Sequence, residues 1–289
     1  MYSNIYDFFL NNIEKSEEEK KNMIHEMVDI MDIDQLSKVI DFLKEPFFSK
    51  KLKRYLRDDM LPPIESPEFL FLLQLAKYNG NLVKKLARAN KLSEYYIDRF
   101  INKYCLQEVS KGIYVFPGNE IDGNFVFQAQ YTRSVISHET ALYMHDLSDV
   151  IPRKTIMSMP ISYKLSQVEK NEGRYIKVHK EIFDSNRIYY IVEYYQNDPI
   201  YLIKNQPIGN SQIQLMNTHQ GNEVRVTSVE RTIADIFKSS SNVEEEVKEK
   251  ALERYSKRKN YDKTRLLRIC KQQNVEEEVE HTLWKLKLH

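Results

Sequence analysis

The residues whose types and spacing can do chemistry fall in two short stretches, His138-Glu139 with His145 seven positions on, and Glu230-Arg231-Thr232 with Asp235. A His-Glu pair opens the zinc-protease helix pattern, in which two histidines one turn apart hold the metal and the intervening glutamate acts as base. Here Leu142 stands where the second histidine belongs, so the pattern fails. His138 and His145 can share a helical face, but no cysteine or third histidine lies near them, and zinc sites need three or four protein ligands. The expectation is therefore capping and core hydrogen bonding for these histidines, with no metal. Cys105 and Cys270 lie far apart among apolar neighbours, giving neither a disulfide framework nor a ligand spacing. The chain has seven glycines and none builds a phosphate-cradling loop or a dinucleotide fingerprint, so no cofactor is expected.

The second stretch carries charge at the start of a helix otherwise marked by Ile233, Ile236 and Phe237. Glu230 suits the positive end of the helix dipole, and Arg231 can pair with Asp235 at four-residue spacing. A structural network is the expectation; a surface for antagonising a partner, or a catalytic carboxylate, is the alternative.

The elements that must position these residues follow from composition and patterning. A chain of 289 residues can hold two or three domains, and 42% hydrophobic residues with 43 Lys+Arg against 42 Asp+Glu describe a globular protein with no overall polybasic character. The charge is unevenly spread. Residues 66–118 hold eight basic residues against four acidic ones, a net +4, whereas residues 1–65 hold ten against fourteen, a net −4. Positive charge concentrated within a neutral chain marks a candidate for phosphate contact. No segment approaches about 18 uninterrupted apolar residues, and the early Asp7, Glu14 and Glu17 break any leader pattern. A cytoplasmic protein without a membrane contact is expected, in line with two unpaired cysteines.

Residues 1–65 read as helices in series. Ser16 and Glu19 form a capping box. Lys50, Lys51, Lys53, Arg54 and Arg57 crowd a last helix before Pro62-Pro63. The expectation is a small helical extension with a solvated basic face, the alternative a DNA-contacting or protein-docking arm. Residues 66–118 read as helix, helix, helix, hairpin. Ser66-Pro67 opens the first helix, a second carries Leu82, Val83, Leu86 and Ala87, and Ser93 caps a third with Tyr96, Ile97, Phe100 and Ile101 inward. Two strands then flank Ser110-Lys111-Gly112.

That order is the order of a winged helix-turn-helix, whose third helix enters the DNA major groove. Its outward residues are Ser93, Glu94, Tyr95, Asp98, Arg99, Asn102 and Lys103. Arg99 suits a bidentate contact with guanine, while Lys84, Lys85, Arg88 and Lys111 suit phosphate, which adds affinity without sequence information. Winged helices also mediate protein contacts, and Glu94 and Asp98 would oppose DNA.

Beyond residue 118 the pattern is mixed. Residues 120–131 fit strand or helix, Ser137 opens a helix to about 145, and strands are expected at 155–159, 175–178, 187–195, 200–203, 212–216 and 223–226. Ser228 caps a helix over 229–237, and helices follow at about 243–258, 262–273 and 275–287 with a second basic surface that includes Arg254, Lys257 and Arg258. The expected fold is α+β: a helical extension (1–65), a winged helix-turn-helix (66–118) and a mixed-sheet domain with C-terminal helices (119–289).

Three motifs, Gly112-Ile113-Tyr114-Val115-Phe116-Pro117, the run from Ser137-His138-Glu139-Thr140 to Ile151-Pro152, and Ser228-Val229-Glu230-Arg231-Thr232-Ile233-Ala234-Asp235, occur in that order. In them the chain resembles the AbiEi antitoxins of type IV toxin–antitoxin and phage abortive-infection systems. The resemblance implies a non-enzymatic antitoxin and transcriptional autorepressor, whose winged helix binds inverted repeats in its own double-stranded promoter DNA and whose C-terminal domain counters a cognate nucleotidyltransferase-like toxin. His138, Glu139, Glu230, Arg231, Asp235, Arg254, Lys257 and Arg258 are then the candidate antitoxin surface. Residues 1–65 and the strand-rich stretch 180–205 look like additions to that family's pattern. The rival classes are an enzyme, kinase-like or a nuclease using Glu139, Asp146, Glu230 or Asp235, and a protein-docking adaptor.

Overall fold

The computed structural model describes residues 55, 62, 66–164, 168, 176–183, 187–194, 197–239, 241 and 243–288. The helices expected over residues 1–65, including the basic one at 50–57, lie outside the described residues except at Tyr55 and Pro62. The chain divides into two compact units, Met1–Glu120 and Ile121–His289.

The first unit is built round α1 (Pro67–Lys77), where the Ser66 hydroxyl accepts from the Phe69 amide at 3.2 Å and proline occupies the first turn. Eight successive residues, Phe69 to Ala76, are buried, the polar Gln74 among them, so this helix is covered all round and supplies much of the core of the described part of the unit. Phe71 packs against Phe100 and Tyr104 with ring centres 5.3 and 5.8 Å apart. At the helix end Gly80 has φ +84°, and a Cβ there would meet Asn119 Nδ2 at 2.2 Å, so backbone and close approach both require glycine.

Next come β1 (Asn81–Val83), α2 (Lys84–Ala89), α3 (Glu94–Lys103), β2 (Gln107–Ser110) and β3 (Ile113–Val115), with sheet order β1-β3-β2, all antiparallel. Leu82 and Val83, expected in the second helix, are strand residues. Their side chains are buried and their backbone closes the sheet against Tyr114 and Ile113, an outcome that tertiary pairing decides over a weak local pattern. Gly112 supplies the left-handed turn of the hairpin at φ +74°.

The second unit begins with α4 (Gly123–Gln130), which settles the ambiguous stretch as a helix. The Asp122 carboxylate accepts from the Phe125 amide at 3.1 Å, and four successive residues, Phe125 to Gln128, are buried, which a one-sided strand would not allow. Then follow β4 (Val135–Ile136), α5 (His138–Met144), β5 (Thr155–Pro160), β6 (Ile176–Phe183), β7 (Arg187–Tyr194), β8 (Ile200–Asn205), β9 (Ile213–Asn217) and β10 (Glu223–Thr227). The seven strands form one sheet in the order β6-β7-β8-β5-β4-β10-β9, with β5/β8 and β4/β10 parallel and the rest antiparallel. Within the stretch 180–205, β8 pairs with β5 over six residues in the middle of the sheet.

Four helices close the chain: α6 (Val229–Phe237), α7 (Glu245–Ser256), α8 (Lys263–Gln272) and α9 (Glu276–Lys285). The Ser228 hydroxyl caps α6 by accepting from the Arg231 amide at 3.4 Å. Ile233, Ile236, Leu252, Tyr255, Leu266, Ile269 and Leu283 form their shared core with Leu142 and Leu147. The architecture is mixed α+β, with helices and one large mixed sheet. No helix among the described residues is long and apolar enough to cross a membrane.

Candidate functional site

In the first unit α3 turns Ile97, Phe100 and Ile101 inward, which leaves Tyr95, Arg99, Asn102 and Lys103 exposed on the opposite face, Tyr95 at 68%. Ser93 is exposed and its hydroxyl is spent on the cap, accepting from the Tyr96 amide at 3.4 Å. The two acids on this helix do not stand alone. Glu94 takes the Arg88 guanidinium of α2 at 3.0 Å, and Asp98 takes the Lys84 ammonium. Lys103 donates to Glu68 of α1 at 2.5 Å. Burial works to raise the Glu68 pKa, but the hydrogen bonds from Lys103 and Tyr104 outweigh it and hold the carboxyl below its ordinary range.

These pairs change the roles expected of individual lysines. Lys84, expected to meet phosphate, is half-buried, sits 5.4 Å over the Tyr114 ring, and has its pKa raised by the hydrogen bond to Asp98. To reach phosphate it must leave that carboxylate, and Arg88 and Lys103 must likewise leave theirs. Lys85, Arg99 and Lys111 stand exposed outside the three pairs. Each acid on α3 is thus matched by a cation of α2, while Lys85 on α2, Arg99 on α3 and Lys111 at the hairpin tip carry part of the unit's excess positive charge.

The second unit holds a different arrangement. His138, Glu230, Arg231 and Asp235, expected as an antitoxin surface, are buried, with Arg231 and Asp235 at 0% exposure. They are buried because α6 is covered on every side, so helical periodicity that predicts one wet face does not apply. The Arg231 Nε donates to both oxygens of Asp235 at 3.1 Å, Nη1 to Gln212 Oε1 at 2.9 Å and the Pro207 carbonyl at 3.3 Å, and Nη2 to Asn205 Oδ1 and the Gln206 carbonyl at 3.3 Å. All five of its donors are used. Lys238 donates to Asp235 Oδ1 and Asn205 Oδ1, both at 2.7 Å. Burial works to raise the Asp235 pKa, but the charges around it, those of Arg231 and Lys238 among them, outweigh it and keep it low; burial lowers that of Lys238.

From Asn205 a hydrogen-bonded line crosses to the β4–α5 turn. Asn205 Nδ2 donates to Ser158 Oγ at 3.0 Å, Ser158 and Ser137 share a bond of 2.7 Å, and Ser137 Oγ lies 2.9 Å from His138 Nδ1. A consistent order runs Asn205 to Ser158 to Ser137 to a neutral His138, whose pKa burial lowers. His138 also carries a backbone signature. Seven non-glycine residues among those described have positive φ, and six of them directly follow a helix C-cap; His138, at φ 54°, starts a helix instead. A left-handed non-glycine residue costs about 1–2 kcal/mol, so its surroundings must hold it there.

No hydrogen bond joins His138 to Asp235 among the described residues, because the carboxylate is taken up by Arg231, Lys238 and Asn205. The cluster is therefore a closed lattice tying the β4–α5 turn to β5, β8 and α6, and is not arranged as a serine–histidine–carboxylate relay. Glu230 is closed in as well, accepting from the Ser228 hydroxyl at 2.8 Å and the Tyr255 hydroxyl at 2.9 Å. Glu139 is half-buried and its Oε2 has no hydrogen-bond partner among the described residues. His145 Nε2 donates to the Thr227 carbonyl at 2.6 Å, and burial lowers its pKa.

The C-terminal basic residues are likewise engaged. Arg254 pairs with Asp149 across 105 positions, Lys257 with Glu253 at 2.5 Å, and half-buried Arg258 donates to the His145 carbonyl. Sequence reasoning missed Ser158, Asn205, Gln212 and Lys238, and saw Ser137 only as a cap. Lys238 alone had a local signal, three positions after Asp235.

No protein-family model matches the chain, and no curated protein sequence matches it. Among solved structures, one from Helicobacter pylori described as a candidate nucleotidyltransferase shares 15% identity over 56% of this chain and 77% of its own, with a TM-score of 0.34. The Helicobacter pylori protein JHP933 shares 12% identity over 57% of this chain and 81% of its own, with a TM-score of 0.32. Overlap this slight carries no argument about fold or activity.

Proposed function

We propose that this protein is a sequence-specific DNA-binding repressor whose residues 66–118 act as a winged helix, and that its second unit is the antitoxin part of a toxin–antitoxin pair. The observation that carries the DNA-binding reading is the exposed row Tyr95, Arg99 and Asn102 on α3, beside exposed Lys85 and hairpin-tip Lys111. An α-helix fits the major groove, arginine can take guanine edges, and asparagine can take adenine edges. The pairing of Glu94 and Asp98 with Arg88 and Lys84 supports it further, since it removes the repulsion those acids would offer to phosphate.

The antitoxin reading rests on the motif resemblance. The buried Arg231–Asp235 lattice gives its motif residues a scaffolding part, and leaves contact with a toxin to exposed residues elsewhere in the unit. Promoter DNA from the protein's own operon and a scrambled duplex, compared by mobility shift, test the repressor reading: retention of the promoter fragment at concentrations that leave the scrambled one free is expected, and equal retention of both contradicts sequence-specific binding. Rescue of growth by residues 119–289 against the neighbouring toxin gene tests the antitoxin half, and no rescue by folded fragment contradicts it.

A further inference from the structure

Among the described residues the large sheet of the second unit ends on β6 at one side and on β9 at the other. An edge strand presents unpaired amides and carbonyls, and proteins commonly protect it with charged residues, proline or a bulge. β6 carries exposed Lys177 and Lys180. β9 reads Ile213-Gln214-Leu215-Met216-Asn217, with no charge, no proline and an unbroken register to β10. Gln214, Leu215 and Asn217 are exposed, Leu215 at 62%.

The ladder to β10 fixes which backbone groups of β9 face outward. At its two ends the Thr218 amide donates to the Asn222 carbonyl at 2.8 Å and the Ser228 amide to the Gln212 carbonyl at 2.7 Å. Bonded and non-bonded residues alternate along an antiparallel pair, so Gln214 and Met216 bond to β10, while Ile213, Leu215 and Asn217 turn their backbone groups away from it. Arg225, opposite Leu215, has the same phase: its amide donates to Gln128 Oε1 at 2.7 Å and its carbonyl accepts from Gln128 Nε2 at 2.8 Å, so neither is shared with Leu215. The Ile213 amide is taken by the Asn210 carbonyl. The open edge is therefore the Ile213 carbonyl with the amides and carbonyls of Leu215 and Asn217.

We infer that β9 pairs antiparallel with β9 of a second copy of this chain, about a two-fold axis through Leu215, which joins the two sheets into one. An axis at the middle residue lets the whole strand overlap. The two Leu215 residues then exchange both backbone hydrogen bonds, each Asn217 amide donates to the Ile213 carbonyl of the other copy, and Gln214 lies beside Met216. A two-fold axis sets like against like, so a charged residue at its centre would face its own charge. The uncharged β9 meets that condition, and it offers a foreign strand no charge by which to be selected. The inference rests on neither the DNA-binding nor the antitoxin reading.

Sedimentation of the full-length protein without DNA, over a wide concentration range, tests it. A monomer–dimer equilibrium is expected. Leu215→Lys sets two ammonium groups at the axis and should weaken the dimer at least about tenfold, as should Leu215→Glu alone. Mixing these two variants puts opposite charges there and should restore a dimer made of one of each. The control Val150→Lys places the same charge at another exposed aliphatic residue of the unit, 68% exposed, and should leave the equilibrium within about twofold. Both positions are exposed, and circular dichroism checks that every variant folds. A monomer at all concentrations overturns the inference and leaves the edge to a strand of another protein. A dimer that Leu215→Lys does not weaken, or charge-swapped variants that fail to associate when mixed, overturns it as well.

Discussion

The helix α3 of the first unit and the helix α6 of the second carry similar charged residues and put them to opposite use. On α3, Glu94 and Asp98 meet Arg88 and Lys84 where carboxylate side chains are 55% and 51% exposed, so water competes for every bond. On α6, Arg231 and Asp235 meet at 0% exposure with each remaining donor engaged by a protein acceptor. Pairs of the first kind contribute little to stability and can be exchanged for a partner's charges. A pair of the second kind cannot open without leaving a bare charge in the interior. Under the proposed function, chemistry that must meet DNA is sited on the exposed helix, and chemistry that must hold shape on the buried one.

The contrast is sharpest on removing one partner. Arg231→Met should cost about 3–5 kcal/mol of stability in urea melts, because Asp235 loses its guanidinium inside the fold. A loss below about 1 kcal/mol would contradict the buried-lattice account. Changing acidity comes next. Burial lowers His138 and His145 below the ordinary imidazole value of 6.5, so below that pH the unfolded chain binds protons that the folded chain refuses. Stability should then rise with pH through this window and fall on acidification. The urea midpoint at pH 5.5 should lie below that at pH 7.5, and His145→Gln, which keeps a donor for the Thr227 carbonyl, should reduce the difference. Asp235, held low, adds a further loss only as pH falls below its ordinary value of 3.8. Equal midpoints at the two pH values would count against buried neutral histidines. The smallest effect belongs to the exposed helix: Arg88→Gln with Glu94→Gln should alter stability by under about 1 kcal/mol, and a larger loss would place this pair with the buried kind.

What could be read from the chain and what could not divides along the same line. Ser228 with Ile233, Ile236 and Phe237 identified α6, and the four-residue spacing of Arg231 and Asp235 identified their pairing, because both signals are local. The burial of that pair was not legible, since nothing in a helical period says that a sheet and further helices will cover the polar side too. Asn205 and Ser158 lie 47 positions apart on neighbouring parallel strands, and only the β5–β8 register brings them together. Leu82 and Val83 misled for a related reason: a three-residue strand is too short to display a period, and its pairing with β3 decides its state. The outward row of α3 was legible because that helix has one dry face and one wet one. Its ion pairs to α2 and α1 were not.

The central claim is that the wet face of α3 reads DNA. Binding isotherms of full-length protein on promoter and scrambled duplexes, repeated across salt concentrations, test it most directly with Arg99→Ala plus Asn102→Ala beside Lys85→Ala. Loss of the base contacts should lower promoter affinity at least tenfold while scrambled-DNA affinity changes much less, whereas Lys85→Ala should weaken both alike and reduce the salt slope by about one. Unchanged preference for the promoter in the double variant would contradict the assignment of α3 as the reading helix.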